Sequence, residues 1–213
     1  MEHLYPVYLS LVGKTCLIIG GGPVAERKVA NLLEYGAQVK VVSPRVEKRI
    51  AEWANEALLN WTAREFAVND LDGIFVVFIA TDDSRLNQEI AWLCRQRGIL
   101  VNVVDDPPNC DFFVPSVLRR NSLAVAISTE GKSPLFAARL RRELEAIITN
   151  EHGEFVDLLG QIREEVKNSP LAIKQRQQIL EQIVNSDILA LLQAGLDEEV
   201  EERIKECMSS LRG

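Results

Sequence analysis

Apolar and polar positions change period several times along the chain, and each change predicts an element. Thr15-Cys16-Leu17-Ile18-Ile19 is a short run of β-formers that ends in Gly20-Gly21-Gly22-Pro23. Beyond it Val24, Val29, Leu32 and Leu33 recur at helical spacing up to Gly36, a helix stop. Gln38 to Ser43 alternates as a second strand. Ile74 to Ala80 is continuously apolar, as a strand buried on both faces requires, and it ends in Thr81-Asp82-Asp83. A helix from about Ser84 to Arg97 turns Ile90, Leu93 and Cys94 inward. Ile99 to Val104 is a further strand, ending in Asp105-Asp106-Pro107-Pro108.

The pattern then changes. Phe112 to Arg120 and Leu123 to Thr129 are strand-like runs joined by Arg120-Asn121-Ser122, which predicts a hairpin. A helix over about 134–148 follows, with Ser133 suited to its N-cap and Pro134 to its first position. From Glu151 onward short amphipathic helices are expected over 151–168, 171–184, 187–194 and 197–211, broken at Ser169-Pro170, Asn185-Ser186 and Gly195. The fold class is therefore α/β: an N-terminal Rossmann-type parallel sheet over 1–112, a central β-hairpin plus helix over 113–149, and a helical C-terminal domain over 150–213.

The first strand, Gly-x-Gly-x-x-Ala and the following helix form a dinucleotide-binding pattern. Gly20 permits the tight turn, Gly22 lets the backbone approach a pyrophosphate, and Ala25 allows close helix–strand packing. The helix that begins at Pro23 supplies the amides of its first turn, from Val24 on, and a positive dipole end to phosphate. Where an acidic residue usually meets the ribose 2′-hydroxyl, the second strand ends in Ser43-Pro44-Arg45. Ser43 offers a weaker version of that contact, and Arg45, Lys48 and Arg49 could accept a 2′-phosphate. The residues alone leave NAD against NADP open. Ligands bind at the carboxyl ends of parallel strands, so the glycine loop, Ser43-Pro44, Thr81-Asp82 and Asp105 are expected to converge on one crevice. Asp105 reads either as a turn residue or as a carboxylate placed to take a proton from a substrate losing hydride.

Charge changes the picture in the middle of the chain. The 213 residues carry a formal charge of -7, with 47% hydrophobic and 26% charged residues. Residues 1–112 are net -4, residues 113–149 net +3 and residues 150–213 net -6. The basic middle invites an anionic ligand, with Ser128, Lys132, Ser133 and Arg139 around a loop that precedes a helix. The acidic tail lacks a basic recognition element, so nucleic acid is excluded as a partner. The longest apolar run is seven residues, against the roughly 20 of a membrane helix, so no membrane span is expected. The N-terminus has no basic start or apolar signal core, and the cytoplasm is the expected location. Cys16, Cys94, Cys110 and Cys207 form no Cys-x-x-Cys pair, and His3 and His152 are isolated. No metal site is expected.

Several motifs together resemble one family. Gly20-Gly21-Gly22-Pro23-Val24-Ala25-Glu26-Arg27-Lys28, Ala80-Thr81-Asp82-Asp83 with Asn87, and Asn102-Val103-Val104-Asp105 come in order. Ala126 to Pro134 and Leu140-Arg141-Arg142-Glu143-Leu144-Glu145 complete the set. Over essentially its whole length the chain resembles precorrin-2 dehydrogenases, the N-terminal region of sirohaem synthases. The resemblance implies NAD-dependent oxidation of precorrin-2 to sirohydrochlorin, with insertion of Fe²⁺ as a second activity in some members. It implies a homodimer whose central segment contributes to dimerisation, NAD contacts from Gly22-Pro23 and Ser43-Pro44, and Asp105 as the main catalytic residue. Ser128 matches a position phosphorylated in some relatives. No methyltransferase segment is read in the 213 residues, so methylation upstream is expected from another polypeptide. Competing readings are a bifunctional dehydrogenase and ferrochelatase, a non-enzymatic NAD-sensing module, and a small-substrate dehydrogenase, for which His3 and His152 are poorly placed.

Overall fold

Thr15–Ile19 (β1), Gln38–Val42 (β2), Leu59–Thr62 (β3), Val76–Ile79 (β4) and Leu100–Val103 (β5) pair in parallel in the order β3-β2-β1-β4-β5. The protein is seen here in a computed structural model that describes residues 3–209, divided into one unit up to Val114 and a second from Pro115. In the first unit the order reverses at β1, between β2 and β4. That reversal opens a crevice at the carboxyl edge, beyond the glycine loop.

Helices cover the two faces. Pro23–Glu34 (α1) buries Ala25, Val29 and Leu32 against one face, together with Cys16, Ile18, Val39, Val41, Val76 and Phe78. Ser84–Gln96 (α3) buries Ile90, Ala91 and Cys94 against the other, with Leu17, Ile19, Val77, Ile79, Val101 and Val103. All four residues of β4 are buried, as its unbroken apolar run requires. Gly36, at φ +71°, follows α1 where the sequence placed a stop.

One α-helix and one strand went unread in the sequence: Lys48–Asn55 (α2) and β3. Helix α2 buries only Ile50, and β3 fully buries only Leu59, so neither shows a strong apolar period. Pairing with β2 in the register Val41↔Trp61 makes β3 a strand. The indole N–H of Trp61 also donates to the Ser43 carbonyl at 3.0 Å.

In the second unit Ser116–Arg120 (β6) and Leu123–Ile127 (β7) form an antiparallel hairpin with Arg120 opposite Leu123. Asn121 turns the corner at φ +47°, a conformation asparagine tolerates. Pro134–Glu145 (α4) is shorter than expected. Beyond it the Arg120 guanidinium takes the Ile148 carbonyl at 3.2 Å, which fixes the chain after the helix end. Asn150–Lys167 (α5), Ile173–Val184 (α6), Ile188–Ala194 (α7) and Asp197–Ser209 (α8) pack around Phe155, Ile162, Val166, Ile179, Ile183, Ile188 and Val200. The end of the last expected helix, 210–211, lies outside the described residues. His152 is not isolated: its Nδ1 accepts the Thr149 N–H at 3.2 Å and caps α5. No helix among the described residues is long and apolar enough to cross a membrane.

Candidate functional site

The glycine loop is built by close backbone approach. Gly20 stands at φ +116°, and a β-carbon there would drive into the Ala80 carbonyl at the end of β4. Gly21, given no role by the sequence pattern, is as constrained: a β-carbon would strike the Arg45 carbonyl and come within 2.9 Å of Ser43 Oγ. The Gly21 carbonyl accepts the Glu47 N–H at 2.8 Å, which ties the β1 exit to the β2 exit. Gly22 differs, because a β-carbon there would meet nothing within 4 Å. It is the N-cap of α1 and offers no side-chain cap, so the first amides of the helix are left for another acceptor.

These turns enclose a cavity of about 650 Å³. Every position named for the cofactor lines it: Gly20, Gly22, Pro23, Val24, Ser43, Pro44, Thr81 and Asp82. The residues fit a dinucleotide: open space at Gly22, a positive helix end and a long crevice across strand ends. Ser43 is buried and its hydroxyl donates to the Arg45 carbonyl at 2.6 Å, so toward a ribose it can act only as an acceptor. Of the bases expected around a 2′-phosphate, Lys48 lies 3.4 Å from Glu52 and the Arg49 guanidinium stacks 4.9 Å above Trp53. Arg45 lines the cavity, and so do Glu47 and Glu65.

Thr81 holds the β4 turn. Its hydroxyl donates to Asn87 Oδ1 at 2.5 Å and its carbonyl accepts Asn87 Nδ2 at 3.0 Å. Asp83 caps α3 through the N–H groups of Arg85 and Leu86, both at 3.0 Å. The far wall, Glu65-Phe66, is pinned by Arg64, whose guanidinium forms a two-pronged pair with Asp70.

Asp105 follows β5 on a turn whose Val104 N–H bonds the Ile79 carbonyl at 2.9 Å. It is exposed, at φ +57°, and is not among the residues that line the dinucleotide cavity. A left-handed aspartate is sparsely populated backbone, and such positions cluster at turns and at functional sites. The Cys110 thiol braces the turn, accepting the Val103 N–H at 3.2 Å and reaching the Asp106 carbonyl at 3.4 Å. Burial pushes Cys16 and Cys94 up to about 11 and also raises Cys110 and Cys207, so no thiol is activated as a nucleophile.

In the second unit the loop before α4 is tightly wound, with Glu130 at φ +53° and Gly131 at φ +77°. Ser128 Oγ accepts the Glu130 N–H at 3.1 Å, and Ser133 Oγ accepts the Phe136 N–H at 3.3 Å. Each hydroxyl keeps its own hydrogen to donate. The net +3 of the middle resolves residue by residue, because each acid has a basic neighbour. Lys132 lies 3.8 Å from Glu130, Arg139 donates to Glu143 at 2.7 Å, and Arg141 pairs with Glu145. Among the described residues, no group of three or more His, Cys, Asp or Glu could hold a metal ion.

Three family descriptions match consecutive stretches: "Putative NAD(P)-binding" over residues 7–116, "Sirohaem biosynthesis protein central" over 120–147 and "Sirohaem synthase dimerisation region" over 151–208. The siroheme synthase of Nitrosococcus oceani is 36% identical over 201 residues, covering 94% of this chain and 43% of the relative. That of Photorhabdus laumondii is 37% identical, covering 100% of this chain and 46% of the relative. The chain thus spans less than half the length of these curated relatives. Among solved structures, the precorrin-2 dehydrogenase SirC superposes with a TM-score of 0.80 at 26% identity, over 95% of this chain and 100% of SirC. With the nucleotide-binding match covering half of the chain and the sirohaem segments following in order, the chain belongs to the NAD(P)-binding family of sirohaem biosynthesis.

Proposed function

We propose that the protein oxidises precorrin-2 to sirohydrochlorin with NAD, as a cytoplasmic homodimer. The observation that carries the reading is a dinucleotide cavity at the strand ends, with Asp105 exposed at the end of the adjoining β5 and held by the backbone in a left-handed turn. When bound, the nicotinamide supplies the hydride acceptor. The amides at the start of α1 receive the pyrophosphate, and the open space at Gly22 leaves room for it. Asp105 takes the proton that the substrate releases with the hydride, so that one hydride and one proton leave together. A solvent-facing carboxylate can pass that proton on to water.

NAD rather than NADP is supported by the acidic lining near the β2 exit. Glu47 and Glu65 would repel a 2′-phosphate, against a single cation, Arg45, among the described residues of the same lining. Ser128, Lys132, Ser133 and Arg139 are the groups proposed to receive substrate carboxylates. The two hydroxyls have hydrogens to donate, and the Arg139–Glu143 pair is exposed enough to exchange partners. The match to a sirohaem synthase dimerisation region supports the homodimer.

The test is anaerobic incubation of the pure protein with precorrin-2, with and without NAD, followed by absorbance. NAD-dependent formation of sirohydrochlorin is expected. Absence of any NAD-dependent change would remove the reading. Adding Fe²⁺, as a second substrate, to the oxidised mixture tests chelation against the spontaneous rate.

A further inference from the structure

We propose that Lys28 binds a carboxylate of the substrate, one of the acetate or propionate groups of the tetrapyrrole, on the α1 side of β4 and β5. This rests on the reading that the chain oxidises precorrin-2.

The ammonium occupies an unusual place. Helix α1 lies over β1 and β2, and on the same face Phe112, in the return of the chain after β5, packs with Phe78 of β4 and Leu100 of β5. In that return Phe112 stands edge-on to Phe78, ring centres 5.5 Å apart at 86°, and its carbonyl accepts Asn102 Nδ2 at 2.9 Å. Lys28 Nζ sits 5.2 Å above the Phe78 ring. Its electrostatic neighbours are Arg27, of like sign, and the Cys110 thiol. That thiol reaches the Asp106 carbonyl, so the ammonium stands beside the segment that presents Asp105.

No carboxylate lies within 4.0 Å of this ammonium among the described residues, whereas Lys48, Lys167 and Lys205 each sit beside a glutamate. Burial, and secondarily the charge of Arg27, hold Lys28 below the ordinary lysine value. A half-buried cation facing an aromatic ring and a neutral thiol lacks an anion. The pyrophosphate is poorly placed to be that anion. Lys28 is five residues beyond Pro23, more than a turn down α1 and roughly 7 Å along its axis. It also faces β4 rather than the β2 side where the adenosine end of the cavity lies. A polycarboxylate lying between the nicotinamide and Asp105 supplies the missing charge.

The experiment uses the full chain with NAD and precorrin-2. Lys28→Met should raise the KM for precorrin-2 on the order of tenfold. It should leave kcat and the Kd for NAD within about twofold, and Lys28→Arg should restore most of the loss. Quenching of sirohydrochlorin fluorescence on binding should weaken in parallel, a readout independent of turnover. If Lys28→Met does not fold, Lys28→Gln gives the same comparison. Unchanged KM and product affinity would overturn the inference. So would equal damage by Met and Arg accompanied by a fall in Tm, which marks packing alone. If the wild-type protein does not oxidise precorrin-2, the functional reading fails and this inference with it. If the wild type turns over and the variant matches it, only the role of Lys28 fails.

Discussion

The Ala80 carbonyl occupies the space that a β-carbon on Gly20 would need, so the ends of β4 and β1 approach as closely as their backbones allow. Gly20→Ala must both relieve that collision and hold φ +116°, a region alanine avoids. A loss of about 2 kcal/mol or more is expected, seen as a lowered urea midpoint with or without NAD. Gly22→Ala should be silent in the same unfolding experiment, because its β-carbon enters open space and its φ of -81° suits any residue. Its effect should be on NAD affinity, measured by calorimetry. A destabilised Gly22→Ala, or a stable Gly20→Ala, would contradict the loop geometry.

Asp105→Asn is the informative change at the proposed catalytic position. Asparagine accepts the left-handed backbone, so folding and NAD binding should persist while turnover falls about 10²-fold or more. Asp105→Ala adds backbone strain of about 1 kcal/mol and mixes two effects. Turnover of Asp105→Asn near that of the wild type would end the assignment.

Cofactor choice should move with the acidic lining. Replacing Glu47 by Lys and Glu65 by Gln should raise kcat/KM for NADP about tenfold or more relative to NAD. An unchanged ratio would place the discrimination elsewhere in the pocket.

The Arg64–Asp70 pair gives the far wall a pH dependence. Hydrogen bonding from Arg64 is the main cause that holds the Asp70 carboxyl below the ordinary carboxylate value. A folded pKa below the unfolded one means the carboxylate stabilises above the ordinary range, and that this stability is lost as pH falls through the folded value. Asp70→Asn should therefore lower Tm at neutral pH, with the gap to wild type closing under acid. Since Glu65-Phe66 lines the cavity, the variant should also raise the KM for NAD more than it changes kcat. A Tm difference independent of pH would show that Asp70 acts through packing.

How far the site could be read in advance depended on the reach of each interaction. Gly20, Gly22 and Ala25 are legible because a strand–turn–helix leaves a local signature within a dozen residues. Gly21 was not, because what excludes a side chain there is the Arg45 carbonyl, more than twenty residues away. Glu47 and Glu65 carry no pattern of their own. Only the pairing of β2 with β3 brings their segments to one wall. Likewise Lys28 reads as an ordinary helix lysine until Phe78 and Phe112 meet on the sheet face beneath it.

The sequence by itself determined the alternation of strands and helices, the glycine loop and the order of the family's motifs. Each of these is written in local periodicity or in residues that alone permit a given backbone. The tertiary structure decided the strand order, the edge strand β3, the close approach of the Ala80 and Arg45 carbonyls to Gly20 and Gly21, and the left-handed setting of Asp105 beside the Val104–Ile79 bond. Those depend on contacts between distant segments, which form only when burial of the two sheet faces brings the strand ends together.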